Sequence, residues 1–252
     1  MVPQLRRWWP ALVAHALLIA LWQAVVVLFK IPPFILPTPL MTLNTLAKPH
    51  YRWLDHSLAT SVEVFGGYTL AVAVGITLAL LVTWSDLASR FTMPLLVTLN
   101  MIPKIALAPL FVVWLGYGII PNIIITFTIC FFPVLLTTAR GLREVEPDLI
   151  DLVRSVKATR WQIFCKIQLP SALPFVFSGM KVAAVFAVAG AVVGEFVGSE
   201  RGLGFLMLSV QATLDTAGMF MAVILISSIG AVLYLAVIGL ERLMVVRDAR
   251  IG

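Results

Sequence analysis

Polar side chains inside apolar segments are the residues of this chain best suited to act on a solute. Lys104 falls within the apolar stretch 94–118, and Asn100 precedes it by one helical turn on the same face. Pro103 and Pro109 interrupt the helical hydrogen bonding, which is tolerated where neighbouring helices or a cavity satisfy the freed carbonyls. A charge at the centre of a span costs about 2.5–3.5 kcal/mol unless it is paired or hydrated. The pattern therefore indicates either the lining of a path through a membrane or a lysine that pairs structurally.

Two glutamates lie near the outer ends of apolar segments. We expect Glu63 to be an interfacial carboxylate in contact with water. Glu195, within VVGEFVGSERGLGF, allows three interpretations: contact with a solute or an external gate, neutralisation of Lys104, or location at the interface. These alternatives stay open, and Glu195 joins Asn100, Pro103 and Lys104 as a candidate residue of a translocation path.

Motifs for catalysis are missing from the sequence. It has no Gly-Lys-Ser/Thr phosphate-binding loop, no zinc-ligand spacing and no nucleophile elbow. Cys130 and Cys165 form neither a disulfide framework nor a metal motif. We therefore expect no enzymatic activity, no metal and no cofactor in this chain, so uphill transport would need a partner or an ion gradient.

The composition indicates an all-α integral membrane protein. Hydrophobic residues make up 61% of the chain and charged residues 12%, about half of the charged fraction of a soluble domain. The mean hydropathy is +1.02. Apolar runs long enough to cross a bilayer recur along the chain, which favours helices over a barrel. The net charge of +6 is interpreted as a determinant of orientation, and no nucleic-acid partner is expected.

About six transmembrane helices are predicted in a single domain covering residues 1–252. Small residues in two of them, Gly66 and Gly67 in one and Gly179 and Gly190 in another, predict close helix packing. The predicted spans are residues 11–29, 57–83, 94–118, 119–138, 175–197 and 217–240.

The positive residues predict the orientation. Twelve lie on the side of both termini and four on the opposite side, which places both termini in the cytoplasm. The first group comprises Arg6, Arg7, Arg90, Arg140, Arg143, Arg154, Lys157, Arg160, Lys166, Arg242, Arg247 and Arg250, and the second Lys30, Lys48, Arg52 and Arg201.

The longest polar interval runs from Pro147 to Pro174 and predicts two short amphipathic helices. Ile150, Val153 and Phe164 belong to an apolar set that recurs at helical spacing. The turn between the helices is predicted at residues 157–159, and prolines 170 and 174 are predicted to end the second helix. The apolar stripe must pack either on the chain's own membrane helices or on a soluble partner.

The polar interval resembles the cytoplasmic coupling loop of bacterial ABC importer permeases. That loop has the pattern Glu-Ala-Ala, three residues, Gly, nine residues, Ile, any residue, Leu-Pro, and this chain keeps the spacing with Asp151-Leu152-Val153, Lys157, Ile167, Leu169 and Pro170. Lys157 replaces the glycine, which would cost about 1 kcal/mol if the backbone stays left-handed. The flanking AxxWQIF and LPSALPFVFSGMKVA resemble the nitrate/sulfonate/taurine-type permeases. An ordinary inter-helix loop is the alternative interpretation of the spacing.

The resemblance implies a type I ABC importer permease fold in the bacterial inner membrane. It implies a homodimer in membrane lipid, two ATPase subunits that bind ATP and Mg²⁺, and an external solute-binding protein. Helices in a loop at about residues 140–172 would dock on the ATPases, and rigid-body alternating access would follow. The residues implied in coupling are Ile150, Asp151, Val153, Arg154, Lys157, Ala158, Arg160, Phe164, Leu169 and Pro170.

The cargo stays open at this level. A sulfonate such as taurine, nitrate, or an aromatic heterocycle such as riboflavin or a thiamin-precursor pyrimidine are the candidates, and IPKIALAPLFVVWLGYG resembles the heterocycle branches. The alternative class is a self-sufficient secondary transporter or channel driven by an ion gradient. It would have to use the few ionisable groups within spans, His15, Glu63, Lys104 and Glu195.

Overall fold

The apolar segments of the chain form α-helices. The computed structural model describes residues 2–245, so Arg247 and Arg250 lie outside the described residues. The helices are α1 (Val2–Leu28), α2 (Pro39–Asn44), α3 (Trp53–Thr83), α4 (Asp86–Asn100), α5 (Ala108–Leu115), α6 (Ile119–Gly141), α7 (Pro147–Ser155), α8 (Arg160–Ile163), α9 (Leu169–Gly198), α10 (Leu203–Gln211) and α11 (Thr216–Met244). Within the described range, α3, α6, α11 and the run from α8 through α9 are long and apolar enough to cross a membrane.

A broken pair of helices adds a fifth candidate span. Helix α4 and the segment Lys104–Leu115, which contains α5, pass the same test together but bend by 75° at their junction. Pro103 stands at the junction with φ −70° and ψ 96°, outside the helical region. A further apolar helix, Leu12–Leu28 within α1, is shorter. Each of the six predicted spans therefore coincides with a helix or with the broken pair.

Helix α6 lies between α3 and α9, and small residues set the spacing. A Cβ added to Gly67 of α3 would overlap the Thr126 side chain, and one added to Gly190 of α9 would lie 2.8 Å from the Thr126 Cα. Thr126 is thus held between two glycines on opposite neighbours. The prediction of close packing through Gly67 and Gly190 is confirmed, because a larger side chain would push the backbones apart.

The helix pair α7–α8 joins directly to the membrane helix α9. A π-helical turn, Phe164–Gln168, connects α8 to α9, and residues 160–198 form one helical run. The prediction that Pro170 and Pro174 end the second short helix is therefore wrong. Pro170 falls in the first turn of α9, where a missing N–H is tolerated, and the π turn changes the hydrogen-bond register just before it. Pro174 lies inside α9.

Candidate functional site

A buried polar cluster lies where α3 and α6 begin and α9 ends. We call it the carboxyl cluster, and it comprises Thr60, Glu63, Asn122 and Glu195. Glu195 is 1% exposed and accepts a hydrogen bond of 2.5 Å from the Thr60 hydroxyl. It also accepts the backbone N–H of Gly204, in the first turn of α10. Glu195 therefore joins α9, α3 and α10, and a carboxylate at a helix N-terminus is electrostatically favoured.

Glu63 is the second carboxyl group of the cluster and is 0% exposed. Its Oε1 accepts a hydrogen bond of 2.8 Å from the Asn122 side chain, while its Oε2 has no hydrogen-bond partner among the described residues. The Glu63 carboxyl also interacts electrostatically with that of Glu195. Two such groups away from water cannot both be charged without a large Coulomb cost. The hydrogen-bond donors converge on Glu195, so a single negative charge is better accommodated there than on Glu63.

Two sequence predictions are corrected by these contacts. The prediction that Glu63 is in contact with water is wrong, because neighbouring helices bury it, and they bury Glu195 as well. The bonds of Glu195 go to Thr60 and Gly204, and the contacts of Lys104 lie elsewhere, so Glu195 does not neutralise Lys104.

Glycines around Glu195 make room for its carboxyl group. A Cβ on Gly202 would overlap that group, and one on Gly204 would lie 2.8 Å from Oε2. Gly202 also has φ +111°, a backbone conformation that side chains other than glycine's rarely adopt. The Gly-Leu-Gly turn therefore lets α10 approach the carboxylate closely.

Lys104 is satisfied at the break between α4 and α5. Its ammonium donates to the backbone carbonyl of Asn100 and, at 2.6 Å, to the Asn100 side-chain oxygen. It also lies 4.7 Å from the centre of the Phe132 ring. The carbonyl end of α4 attracts a cation, as does the face of an aromatic ring. The structure thus brings Asn100, Pro103 and Lys104 together at the break and leaves Glu195 in the separate carboxyl cluster.

The turn between α7 and α8 keeps the geometry that the coupling-loop pattern requires. Lys157 has φ +59° and stands where the pattern has glycine. Its N–H donates to the Arg154 carbonyl and that of Ala158 to the Val153 carbonyl, which closes the end of α7 as a Schellman motif. Thr159 and Gln162 then form a reciprocal capping box that starts α8.

The apolar stripe of the helix pair turns partly inward. Ile150, Val153 and Phe164 are half-buried, and the Phe164 ring lies 5.2 Å from that of Trp84 at the end of α3. The exposed apolar side chains of the pair are Leu149, Leu152, Val156 and Trp161.

The remaining predicted coupling residues divide by exposure. Asp151, Arg154, Lys157, Arg160 and Pro170 are exposed, and Ala158 and Leu169 are half-buried.

Sequence reasoning missed several residues of both sites. Thr60 and Asn122 were not singled out, although Thr60 lies three residues before Glu63 and so shares its helix face. The exposure of Leu152 and Trp161 was also missed. Helical spacing predicts which side chains of α7 and α8 are on the apolar face, but it does not predict which of them the membrane helices cover.

The apolar helices, the broken membrane segment and the capped helix pair define a multi-pass membrane transport subunit. The chain belongs to the family of binding-protein-dependent transport system inner membrane components, whose model matches residues 71–246. The resemblance inferred from the polar interval is thereby confirmed.

Named relatives extend over most of the chain. The riboflavin transport system permease protein RibX of Chloroflexus aurantiacus is 34% identical over 94% of this chain and 90% of its own length. The formylaminopyrimidine transport permease protein ThiX of Halalkalibacterium halodurans is 33% identical over 84% and 85%. The taurine transport system permease protein TauC of Escherichia coli K12 is 27% identical over 90% and 85%.

A solved structure shares the fold. A chain of the MetNI methionine ABC transporter, in inward-facing conformations, superimposes with a TM-score of 0.56 at 23% identity. The match covers 75% of this chain and 98% of that chain. The predicted type I importer permease fold is consistent with this likeness, and the chain is the transmembrane permease subunit of an ATP-driven importer.

Proposed function

We propose that two copies of this chain form one translocation path and couple to two ATPase subunits that bind ATP and Mg²⁺. The capped helix pair α7–α8 supports this most directly. It projects from α9 through the π turn, and its exposed side chains Leu152, Val156 and Trp161 offer an apolar anchor that the bundle leaves uncovered. The chain itself is non-catalytic in this proposal, and an external solute-binding protein delivers the cargo.

The broken helix supports a second copy as the other wall of the path. Phe91, Met101, Val113 and Trp114, on α4, the break and α5, are each exposed by more than half in the single chain. A chain with four or five spans is small for enclosing a pore, and closed two-fold symmetry is the commonest way to complete one. Lys104 then stands at the break beside the path.

We propose that both termini and the helix pair face the cytoplasm of a bacterial inner membrane. The excess of arginine and lysine on the first turns of α4, at the ends of α6 and α11 and on α7–α8 supports this orientation. The carboxyl cluster would then lie at the external side.

For the cargo we propose an aromatic nitrogen heterocycle of the riboflavin or formylaminopyrimidine kind. The support is similarity: relatives named for these solutes are 34% and 33% identical, against 27% for the taurine permease.

The test is ATP hydrolysis in proteoliposomes that hold this chain, an ATPase found by co-purification, and a matching binding protein. Riboflavin, a formylaminopyrimidine, taurine and nitrate are added in turn. We expect a heterocycle to stimulate hydrolysis, and taurine and nitrate to leave it unchanged. If only taurine stimulates hydrolysis, the proposed cargo is wrong and the proposed coupling to an ATPase stands. Uptake by this chain alone, driven by an ion gradient, would overturn the coupling.

A further inference from the structure

An open cavity of about 590 Å³ lies between the membrane bundle and the helix pair. The end of α3 and its link to α4 form one wall, the end of α6 a second, and α7 and α8 the third. The carboxyl cluster is at the other end of α3 and α6, so this cavity is separate from it. Whatever occupies the cavity contacts both the membrane helices and the helix pair.

Three arginines line the cavity: Arg143 after α6, Arg154 on α7 and Arg160 on α8. No Asp or Glu is among the described residues that line it. Arg154 also pairs with Asp151 at 3.3 Å, but the ion pairs of the described residues include neither Arg143 nor Arg160. Guanidinium groups bind phosphate oxygens by paired, charge-assisted hydrogen bonds, so three arginines that line one cavity are suited to a phosphate group.

The α3 side of the cavity is typical of a membrane interface. Trp84 lines the cavity and remains 58% exposed, with its ring 5.9 Å from that of Trp161. Tryptophans concentrate at the level of lipid headgroups. Leu81, one turn earlier on α3, and Leu87, in the first turn of α4, are both exposed and apolar. Leu81 shares the helix face of Trp84, so an apolar surface for acyl chains extends beyond the cavity, which a free phosphate ion would not need.

We propose that this cavity, the arginine pocket, binds the phosphate group of an anionic glycerophospholipid. Arg143 and Arg160 hold the phosphate, Arg154 is shared between it and Asp151, and the acyl chains lie along Leu81 and Trp84. Basic pockets between membrane helices are suited to such headgroups. The bound lipid bridges α3 to the helix pair and so fixes the position of α7–α8 against the bundle. This assignment does not depend on the identity of the transported solute.

Native mass spectrometry of the purified full-length chain tests the proposal. The protein is equilibrated in detergent with phosphatidylglycerol or with phosphatidylcholine, and lipid adducts are counted after collisional activation. We expect phosphatidylglycerol to be retained preferentially. The double variant Arg143→Gln/Arg160→Gln should retain about tenfold less of it, because two charged donors are lost.

The matched control is Arg90→Gln/Arg140→Gln, which removes the same charge from exposed residues outside the pocket. It should keep the wild-type adducts. The double variant Arg143→Lys/Arg160→Lys keeps the charge but loses the paired donors of guanidinium. It should retain an amount of phosphatidylglycerol between those of the wild type and the glutamine variant. Thermal unfolding and gel filtration of all variants separate lipid loss from misfolding.

Equal retention of the two lipids by the wild-type chain would overturn the proposal, as would equal loss in the pocket variant and its control. Inorganic phosphate provides a further arm. If millimolar phosphate alone raises the unfolding temperature of the wild type but not of the pocket variant, and no lipid adduct forms, the pocket takes a free anion and the lipid assignment is wrong.

Discussion

At the scale of the residue, the two carboxyl groups of the cluster differ in what surrounds them. Glu195 accepts hydrogen bonds from Thr60 and from the start of α10, whereas Glu63 receives one from Asn122 and leaves its second oxygen unpartnered. The surroundings of Glu195 suit a charged acceptor, and those of Glu63 suit a neutral group. Replacement by glutamine, which is neutral and has nearly the same shape as glutamate, should therefore affect the two positions differently.

We predict that Glu195→Gln lowers the free energy of unfolding by about 2–3 kcal/mol, because an amide N–H₂ would meet donors where the carboxylate accepts. Glu63→Gln should change it by less than about 1 kcal/mol, since the neutral amide keeps the bond from Asn122 and puts no second charge beside Glu195. Thermal unfolding in detergent, followed by tryptophan fluorescence, measures both. If Glu63→Gln is the more damaging change, the proton resides on Glu195.

The residue scale also shows how far the sequence alone could go. A glutamate in an apolar span is conspicuous, so Glu63 and Glu195 were found, and the closeness of Asn100 to Lys104 followed from helical spacing. Their burial and their partners were not predictable, because the contacts join different helices and residues as far apart in sequence as Thr60 and Glu195. For the same reason the sequence could not decide whether Glu195 pairs with Lys104, which was one of three open alternatives.

At the scale of the element, the end of α7 carries a strained residue. Lys157 adopts φ +59° at the position where glycine is favoured. We predict that Lys157→Gly raises the free energy of unfolding of the helix pair by about 0.5–1 kcal/mol, because glycine removes the left-handed strain. Hydrogen exchange of α7 and α8 measures it. Lys166→Gly, the same change in helical backbone, should instead destabilise by about 1 kcal/mol; equal effects of both would remove the strain explanation.

Packing of α9 on α6 gives a second test at this scale. We predict that Gly190→Ala destabilises the bundle by about 1–3 kcal/mol, because the new methyl group would lie 2.8 Å from the backbone of Thr126. Gly239→Ala on α11 meets nothing within 4 Å and should be neutral or stabilising, since alanine is the better helix former. The unfolding temperatures of the two variants provide the comparison, and a loss at position 239 equal to that at 190 would contradict close packing as the cause.

Elements were predictable where local chemistry decides them. The length of the apolar segments predicts the membrane spans, and Pro103 predicts the break in the helix. The spacing of the coupling-loop pattern predicts the turn at Lys157. The course of the chain through Pro170 was not predictable, because a π turn depends on how α8 and α9 are held together and leaves no composition signal. Helix propensity alone places a break there.

At the scale of the whole molecule, docking of a partner should depend on the exposed side of the helix pair. Leu152 is 63% exposed, whereas Phe164 packs on Trp84, so changing Phe164 would disturb the bundle as well as any interface. We predict that Leu152→Glu reduces recovery of the ATPase by at least about tenfold in co-purification, because an anchor in the centre of an interface contributes about 2 kcal/mol or more.

Leu214→Glu is the matched control, since Leu214 is 67% exposed at the opposite end of the molecule. It should leave ATPase recovery unchanged. Equal recovery with Leu152→Glu, from protein that is intact and inserted, would place the docking surface elsewhere.

The continuous helical run from Arg160 to Gly198 connects these two ends. Its 39 residues extend for about 58 Å at 1.5 Å per residue. In the proposed orientation, Trp161 lies at the cytoplasmic end of this run and Glu195 near its external end, so a rigid-body tilt of the run would move both. A tilt of about 10° about its middle would displace each tip by about 5 Å in opposite directions. Such a displacement exceeds the length of the hydrogen bonds between Glu195 and its neighbours Thr60 and Gly204. If the helix pair tilts the run, these bonds must therefore either break or move together with the run.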